Sequence, residues 1–275
     1  IFPENTKIKN ILGFFSTQGR IGFKDLKIII LDEADFLTPN AQAALRNATD
    51  NNIETLSPLL AHALSQYVIL PQTTFTQGLP SQWGYGDQIP ERTVTISWSL
   101  GVSRYLFTHH QLDKLNIKST SFYKTTPLHP VTNISLEKMI QICNARSRAE
   151  GLEEAIRHED HAWHWDRNSN GWRIPTEAEW EYLADGMGMG SGDLSEFSVR
   201  THYKKTTPQA VGTLLPNQHG LYDVCGNLWE RTYSKYDPCA YRKRPHLEDP
   251  LEGEGKGFVI RGGSWGDPQQ HVNSH

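Results

Sequence analysis

An acidic pair at the end of an apolar run is the first feature of the sequence that could do chemistry. Residues 28–31 read Ile-Ile-Ile-Leu, and Asp32 and Glu33 follow them directly. A short run rich in β-branched residues predicts a buried strand, and carboxylates at such a strand end hold the metal ion of a nucleotide hydrolase. Hydrolysis also needs a GxxxxGK[ST] loop that cradles the phosphates, and the sequence contains none. We therefore expect no ATPase activity.

Three histidines at three-residue spacing, His158, His161 and His164, form a second candidate site. Two of them with Asp160 would supply the two imidazoles and one carboxylate of a non-haem iron site. The polar residues around them predict a loop before Trp172, where solvated or hydrogen-bonded histidines are the simpler expectation. Their role stays open at this stage.

A glycine-punctuated segment, PNQHGLYDVCGNLWE, encloses one carboxylate, Asp223. Backbone carbonyls in a tight loop can converge with a carboxylate on a hard cation such as Ca²⁺. A plain turn in which Asp223 hydrogen-bonds its own backbone explains the same residues equally well.

Two helices that could position these segments have clear start signals. In GWRIPTEAEWEY, Thr176 and Glu179 form a capping box, which places Trp180 on the apolar face and leaves Glu177 and Glu181 facing solvent. In ISLEKMIQICNARSRAEG, the predicted cap is a serine and the predicted stop is a glycine. The positions expected on its apolar face, by their spacing, are Leu136, Met139, Ile140 and Cys143.

The composition divides the chain of 275 residues into two parts. All eight tryptophans lie between Trp83 and Trp265, and only three glycines precede residue 76. This shift predicts a boundary near Thr73, with one domain over residues 1–73 and another over residues 74–275. The three cysteines have no metal-site spacing, and their odd number argues against a disulfide framework.

The overall charge excludes some partners and assigns no compartment. A formal net charge of -4 gives no bulk attraction to nucleic acid or to an anionic membrane, and no apolar run approaches the ~20 residues of a membrane span. We therefore expect a protein or a small molecule as the partner, with no direct nucleic-acid contact and no membrane contact.

Residues 4–47 resemble the middle of the ATPase domain of clamp-loader small subunits. The resemblance rests on the acidic strand end and on the segment NAQAALRN, for which Thr38 and Pro39 predict a helix start. It implies that residues 1–73 are a clamp-loader-like fragment, a small N-terminal α/β appendage. One alternative function follows from it, a fragment that packs on a replication clamp loader.

Four motifs downstream resemble the formylglycine-generating enzyme family, also called the sulfatase-modifying factor family. They are PVTNISLEKMIQICN, GWRIPTEAEWEY, VGTLLPNQHGLYDVCGNLWE and VIRGGSW, within residues 74–265. The resemblance implies an α+β, variant C-type-lectin-like fold that is loop-rich. The usual closing segments of the family do not follow, so residues 74–275 resemble a C-terminally truncated member.

In the oxidase members, two cysteines after the RGGS motif bind copper(I), a metal that requires soft thiolate ligands. The corresponding positions here are Asp267 and Val272. The resemblance therefore implies neither copper nor formylglycine generation, and we assign no catalytic residue.

The resemblance also carries over a structural calcium site. Its side-chain ligand corresponds to Asp223, and its carbonyl ligands correspond to Val224, Gly226 and Leu228. Calcium is the one cofactor that this sequence implies.

Members without the oxidase cysteines include the variable proteins of diversity-generating retroelements, in which residues after RGGSW form a ligand-binding face. By this resemblance the chain is a non-catalytic ligand- or protein-binding module. The candidate ligand-binding residues are Trp229, Ser264, Trp265, Asp267 and Gln270. The alternative is a metal-dependent oxidoreductase of the same superfamily, built on the histidines above.

Overall fold

The computed structural model describes residues 26–29, 67–83, 86–123, 126–160, 162–184, 207–243, 245–251 and 255–267. They form short strands and a few helices: β1 Leu26–Ile29, β2 Tyr67–Leu70, β3 Thr73–Gln77, β4 Arg92–Ile96, β5 Ser99–Ser103, α1 His109–Lys114, α2 Leu136–Ala149, β6 Ile156–Glu159, β7 Ala162–Trp165, α3 Glu177–Ala184, β8 Glu230–Lys235, α4 Ala240–Lys243, β9 His246–Glu248 and β10 Phe258–Arg261. A short 3-10 helix covers Ser81–Trp83.

The chain divides into two compact units. The first draws on residues 1–70, 99–104 and 140–173, and the second on residues 71–98, 105–139 and 174–275. One division follows Leu70, near the boundary expected at Thr73, but the first unit also takes two later segments. The division into residues 1–73 and 74–275 therefore stays a prediction.

In the first unit β5 is the central strand of a three-stranded sheet. It pairs parallel with β1 and antiparallel with β2. The strand predicted over residues 28–31 lies two residues earlier, at Leu26–Ile29. Strand β5 ends at Ser103, where its ladder with β2 ends at the pair Tyr67–Ser103.

The buried face of α2 differs from the predicted one. Ile140 is fully buried, but Ile142 replaces Cys143 on the buried side, with Asn144 and Ser147 beside it. These polar side chains are buried because they bind backbone. Asn144 Nδ2 donates to the Ile156 carbonyl at 2.7 Å, and Ser147 Oγ accepts from the Trp172 amide at 2.8 Å.

The histidine segment is a hairpin, so the predicted loop is wrong. Strands β6 and β7 pair antiparallel, with His158 opposite Trp163 and Arg157 opposite His164. Along β7 the tryptophans are half-buried while Ala162 and His164 are exposed. This two-residue alternation is a strand signal, and the polar residues on the exposed side conceal it in the sequence.

Two sheets organise the second unit. In one, β4 lies between antiparallel β3 and parallel β9, and its inward side chains Val94 and Ile96 are buried. In the other, β10 pairs antiparallel with β8, with an irregularity between Phe258 and Ile260. The apolar residues Phe258–Ile260 before the glycine pair are typical of a strand, and β10 covers Phe258–Arg261.

Helix α3 begins at the predicted capping box. The Thr176 amide donates to Glu179 Oε2 at 2.8 Å, and the Glu179 amide donates to Thr176 Oγ1 at 3.2 Å. Trp180 and Ala184 are buried as expected. Glu177 and Glu181 are also buried, which contradicts their predicted solvent exposure, because both carboxylates pair with the buried Arg261.

Candidate functional site

The Asp223 loop is held by two residues in the left-handed backbone region, Asp223 and Asn227, both with φ of 58°. The Asp223 carboxylate is buried and accepts from the Gly212 amide at 2.8 Å and from Asn227 Nδ2 at 3.4 Å. Burial raises the pKa of Asp223 to about 6, against the opposing effect of these two hydrogen bonds.

Glu230 adds a second enclosed carboxyl group, which the sequence analysis did not identify. The residue as a whole is half-buried at the start of β8. Burial of its carboxyl group raises its pKa to about 8, and the Asp223 carboxylate acts in the same direction. The Trp180 indole lies near enough to oppose this rise in pKa, but its Nε1 falls short of a regular hydrogen bond. Glu230 could have been identified in the sequence from its position, because Asp223 and Glu230 lie at the two ends of the same glycine-containing loop.

The loop has the donor chemistry of a calcium site. Two carboxylates and the backbone carbonyls of Val224, Gly226 and Leu228 are hard oxygen ligands. Among the described residues, no cationic side chain contributes to either pKa shift, so nothing there offsets the cost of ionising the two carboxyl groups. The Gly226 carbonyl also accepts from the Leu228 amide at 2.7 Å, which leaves one of its lone pairs available. These residues fit a hard cation.

Gly262 lets the RGGS segment lie against this loop. Its carbonyl accepts from the Gly226 amide at 2.8 Å. Its φ is +95°, and a Cβ at this position would come within 2.6 Å of the Val224 carbonyl oxygen. Only glycine allows this approach without strain.

Asn227 connects the loop to the predicted ligand-binding residues, and the sequence analysis missed it. Its side chain is fully buried and exchanges hydrogen bonds with the backbone of Gln209, at 3.0 and 3.2 Å. Its own carbonyl accepts from the Trp265 amide at 2.9 Å. An Asn that follows glycine in a turn was the available signal, because Asn tolerates positive φ.

The residues after the glycine pair form a closed turn. Asp267 Oδ2 accepts from the Ser264 amide at 2.9 Å and from Ser264 Oγ at 2.6 Å. The Asp267 amide donates back to the Ser264 carbonyl at 3.1 Å. The Asp267 carboxylate therefore stabilises the turn at the position where the oxidase resemblance would require a thiolate.

One aromatic contact lies beside this turn, and two exposed aromatic side chains lie near it in the sequence of the contacting segments. The Trp265 ring meets Tyr123 edge-on, with ring centroids 5.9 Å apart, and His109 Nε2 lies 3.2 Å from the Tyr123 carbonyl. Trp229 is 42% exposed and Phe122 is 82% exposed. The structure thus connects the Asp223 loop to Ser264, Trp265 and Asp267, while Gln270 lies outside the described residues.

The three cysteines are free, as the sequence predicted. Burial raises the pKa of both Cys143 and Cys225 to about 12, so both are protonated thiols at neutral pH in the absence of a metal ion. Cys239 is exposed, and Val272 lies outside the described residues.

The histidine hairpin presents both of its described imidazoles to solvent. His158 and His164 are exposed, and the His158 ring meets Trp163 edge-on at 4.8 Å. His161 lies outside the described residues. Within the described ranges, no group of three or more His, Cys, Asp or Glu side chains is arranged to hold a metal ion.

Residues 60–275 match the family described as the sulfatase-modifying factor enzyme 1-like domain. The chain belongs to this family. It is 32% identical over 114 residues to the formylglycine-generating enzyme of Streptomyces coelicolor, covering 34% of this chain and 36% of that one. It is 31% identical over 122 residues to the inactive C-alpha-formylglycine-generating enzyme 2 of Mus musculus, covering 38% and 35%. The chain thus spans about a third of the length of these two relatives.

Three solved structures share the fold of this family member. Treponema denticola variable protein 1 aligns with a TM-score of 0.64 at 20% identity, over 76% of this chain and 86% of that one. PvdO from Pseudomonas aeruginosa aligns with a TM-score of 0.59 at 20% identity, over 76% and 85%. CarF aligns with a TM-score of 0.56 at 21% identity, over 75% and 89%. The mixed sheets and few helices of the chain agree with these folds.

The N-terminal resemblance receives no such support. The family match begins at residue 60, and none of these comparisons involves a clamp loader. Residues 4–47 lie outside the described residues apart from β1. Within the described part of the chain, no helix has the length and apolar character that crossing a membrane requires.

Proposed function

We propose that this family member is a non-catalytic binding module whose ligand or partner protein docks on a face formed by Trp229, Ser264, Trp265 and Asp267. The observation that carries the proposal is the turn at Ser264, which the Asp267 carboxylate closes with two hydrogen bonds. A carboxylate committed in this way stabilises a recognition surface and supplies no soft ligand for copper.

The exposed aromatics suit this role. Tryptophan and tyrosine are enriched among the residues that contribute most to binding free energy at protein interfaces. Trp229 presents a large ring to solvent, while Trp265 is fixed through its backbone by Asn227 and through its ring by Tyr123. A rigid aromatic loses little conformational entropy when a partner binds.

The proposal includes two finer statements about this chain. Its fold is a C-type-lectin-like variant, and its binding face corresponds to that of the variable proteins of diversity-generating retroelements. The fold similarity to Treponema denticola variable protein 1 supports it at the level of fold. In this hypothesis the residues after Trp265, including Gln270, extend the same binding face.

A peptide selection tests the proposal. We expect peptides selected against the purified domain to lose at least about tenfold in affinity when Trp229 is replaced by alanine, as for an interface anchor. Leu251→Ala is the matched control, since Leu251 is 39% exposed and lies outside the proposed face. Selected peptides that bind Trp229→Ala as well as wild type would contradict the proposed face. Copper-dependent oxidation of a cysteine peptide would contradict the non-catalytic function.

We further propose that the module carries one structural Ca²⁺ ion. Asp223 and the carbonyls of Val224, Gly226 and Leu228 would hold it, and Glu230 would add a second carboxylate. A bound calcium ion would supply the positive charge that the two enclosed carboxylates lack, and would fix the loop from which Trp229 projects.

A further inference from the structure

A cavity of about 210 Å³ opens beside β10, and it shares no residue with the proposed binding face. Polar and apolar side chains contribute about equally to its wall. Its lining consists of Asp87, Gln88, Glu177, Tyr236, Asp237, Tyr241, Phe258, Val259, Ile260 and Arg261.

The lining includes a buried guanidinium with an unused donor. Arg261 is 3% exposed. One of its terminal nitrogens, Nη2, binds Glu177, lies 3.0 Å from the Tyr241 hydroxyl and lies 3.7 Å from Glu181. Its Nε–H has no hydrogen-bond partner among the residues that the structure describes. This nitrogen is enclosed by protein, so other atoms of Arg261 face the cavity.

The remainder of the lining carries an excess of negative charge. Three carboxylates, Asp87, Glu177 and Asp237, line the cavity with one guanidinium. Glu177 pairs with Arg261, and Asp237 pairs with Lys243. Asp87 accepts from the Tyr236 hydroxyl at 2.5 Å, a bond that leaves its charge in place. The lining therefore favours a cation, and Tyr236 and Phe258 supply aromatic rings beside it.

Size and charge together define the occupant. Sites for drug-sized ligands usually measure about 300–1,000 Å³, so this cavity suits a smaller molecule. We propose that it binds a small hydroxylated amine of monosaccharide size, with its ammonium group at Asp87 and its hydroxyl groups toward the Arg261 end of the lining. A ligand carboxylate is disfavoured there, because Glu177 and Glu181 already flank the guanidinium.

Three sugars with one ring and different charges test the proposal. The probes are glucosamine, glucose and glucuronate, titrated against the intact chain and followed by amide chemical shifts in NMR spectra. A ligand of about 12 non-hydrogen atoms with ordinary ligand efficiency has a Kd of about 2 mM. We expect glucosamine to bind about tenfold more tightly than glucose, since it adds a charge-assisted contact to Asp87, and glucuronate to bind least tightly.

Two variants locate the site. Asp87→Asn should reduce glucosamine affinity to the level of glucose, whereas Asp113→Asn should leave it unchanged. Asp113 is an exposed carboxylate on α1 outside the lining, which makes it the matched control. Tightest binding of glucuronate, equal binding of all three sugars, an unchanged glucosamine Kd in Asp87→Asn, or no saturable shift at roughly ten times the expected Kd would each overturn the proposal.

Discussion

The enclosed carboxyl groups of Asp223 and Glu230 should control how stability depends on pH. Burial raises both pKa values, to about 6 from 3.8 and to about 8 from 4.5. Between the unfolded and folded pKa values the folded state binds more protons than the unfolded state, so the free energy of unfolding falls as pH rises. Without calcium, we expect stability to be highest near pH 4 to 5 and to fall progressively up to about pH 8.

Glu230→Gln isolates the larger of these two effects. The substitution removes one titrating group and keeps the shape of the side chain. We expect the variant to come within about 1 kcal/mol of wild type at about pH 5 and to exceed its unfolding free energy at about pH 8 by about 4 kcal/mol. Urea unfolding in calcium-free buffer across this range measures the difference. A variant whose stability falls with pH as steeply as that of wild type would show that Glu230 is not the titrating group.

Trp180 is the residue whose truncation should affect the second unit most directly. It is 1% exposed on α3. We expect Trp180→Ala to lower the unfolding free energy by about 3 kcal/mol or more, as for other buried aromatics. Trp229→Ala provides a matched control, because Trp229 is 42% exposed and its truncation should change stability by about 0.5 kcal/mol at most. Equal effects of the two substitutions in urea unfolding would contradict the burial of α3.

At the level of elements, the join between β10 and the Asp223 loop depends on a glycine. At Gly262 an added Cβ would meet the Val224 carbonyl at 2.6 Å, and the backbone φ of +95° disfavours side chains. We expect Gly262→Ala to destabilise the domain by about 1–3 kcal/mol. At Gly257 nothing lies within 4 Å of an added Cβ, so Gly257→Ala should cost little. Thermal unfolding of the two variants compares them directly, and equal melting temperatures would exclude a close approach at Gly262.

The sequence predicted the helix starts correctly, because each helix cap depends only on residues close to it in the chain. The capping box at Thr176 and Glu179 and the N-cap at Ser135 lie within three residues of their partners, so the sequence itself contains both partners. Strand β10 was predictable from its apolar run Phe258–Ile260 before the glycine pair. The four family motifs, which lie between residues 130 and 265, predicted the family, and the family match over residues 60–275 confirms it.

The burial of a charged side chain could not be predicted from nearby residues when its partner lies far away in the sequence. Glu177 is buried because Arg261, 84 residues later, neutralises it, and a helix start rich in acids otherwise indicates solvent exposure. Glu230 was missed because its environment depends on the folded Asp223 loop. The histidine segment was misread because its hairpin buries only one side of β7.

At the level of the whole molecule, a single motif contributes residues to both the cavity beside β10 and the proposed binding face. The sequence alone did not distinguish these two places. The RGGS segment contributes Arg261 to the cavity beside β10, while Ser264, three residues later, belongs to the proposed binding face. Gly262 and Gly263 lie between them, both with positive φ. The shared motif therefore fixes both groups, and small changes in its conformation would affect both.

Calcium should stabilise the whole domain through the Asp223 loop. A ligand that binds only the folded state raises stability by mass action, by about 2.7 kcal/mol at one hundred times its Kd. We therefore expect added Ca²⁺ to raise the melting temperature of wild type and to reduce its loss of stability toward pH 8, since the bound cation favours ionised carboxylates. Asp223→Ala should abolish the rise, Glu230→Gln should weaken it, and Asp113→Asn should leave it intact. Differential scanning calorimetry with calcium or with a chelator measures each case. A wild-type melting temperature that does not respond to calcium would show that Asp223 serves the loop only through the hydrogen bonds that it accepts from Gly212 and Asn227.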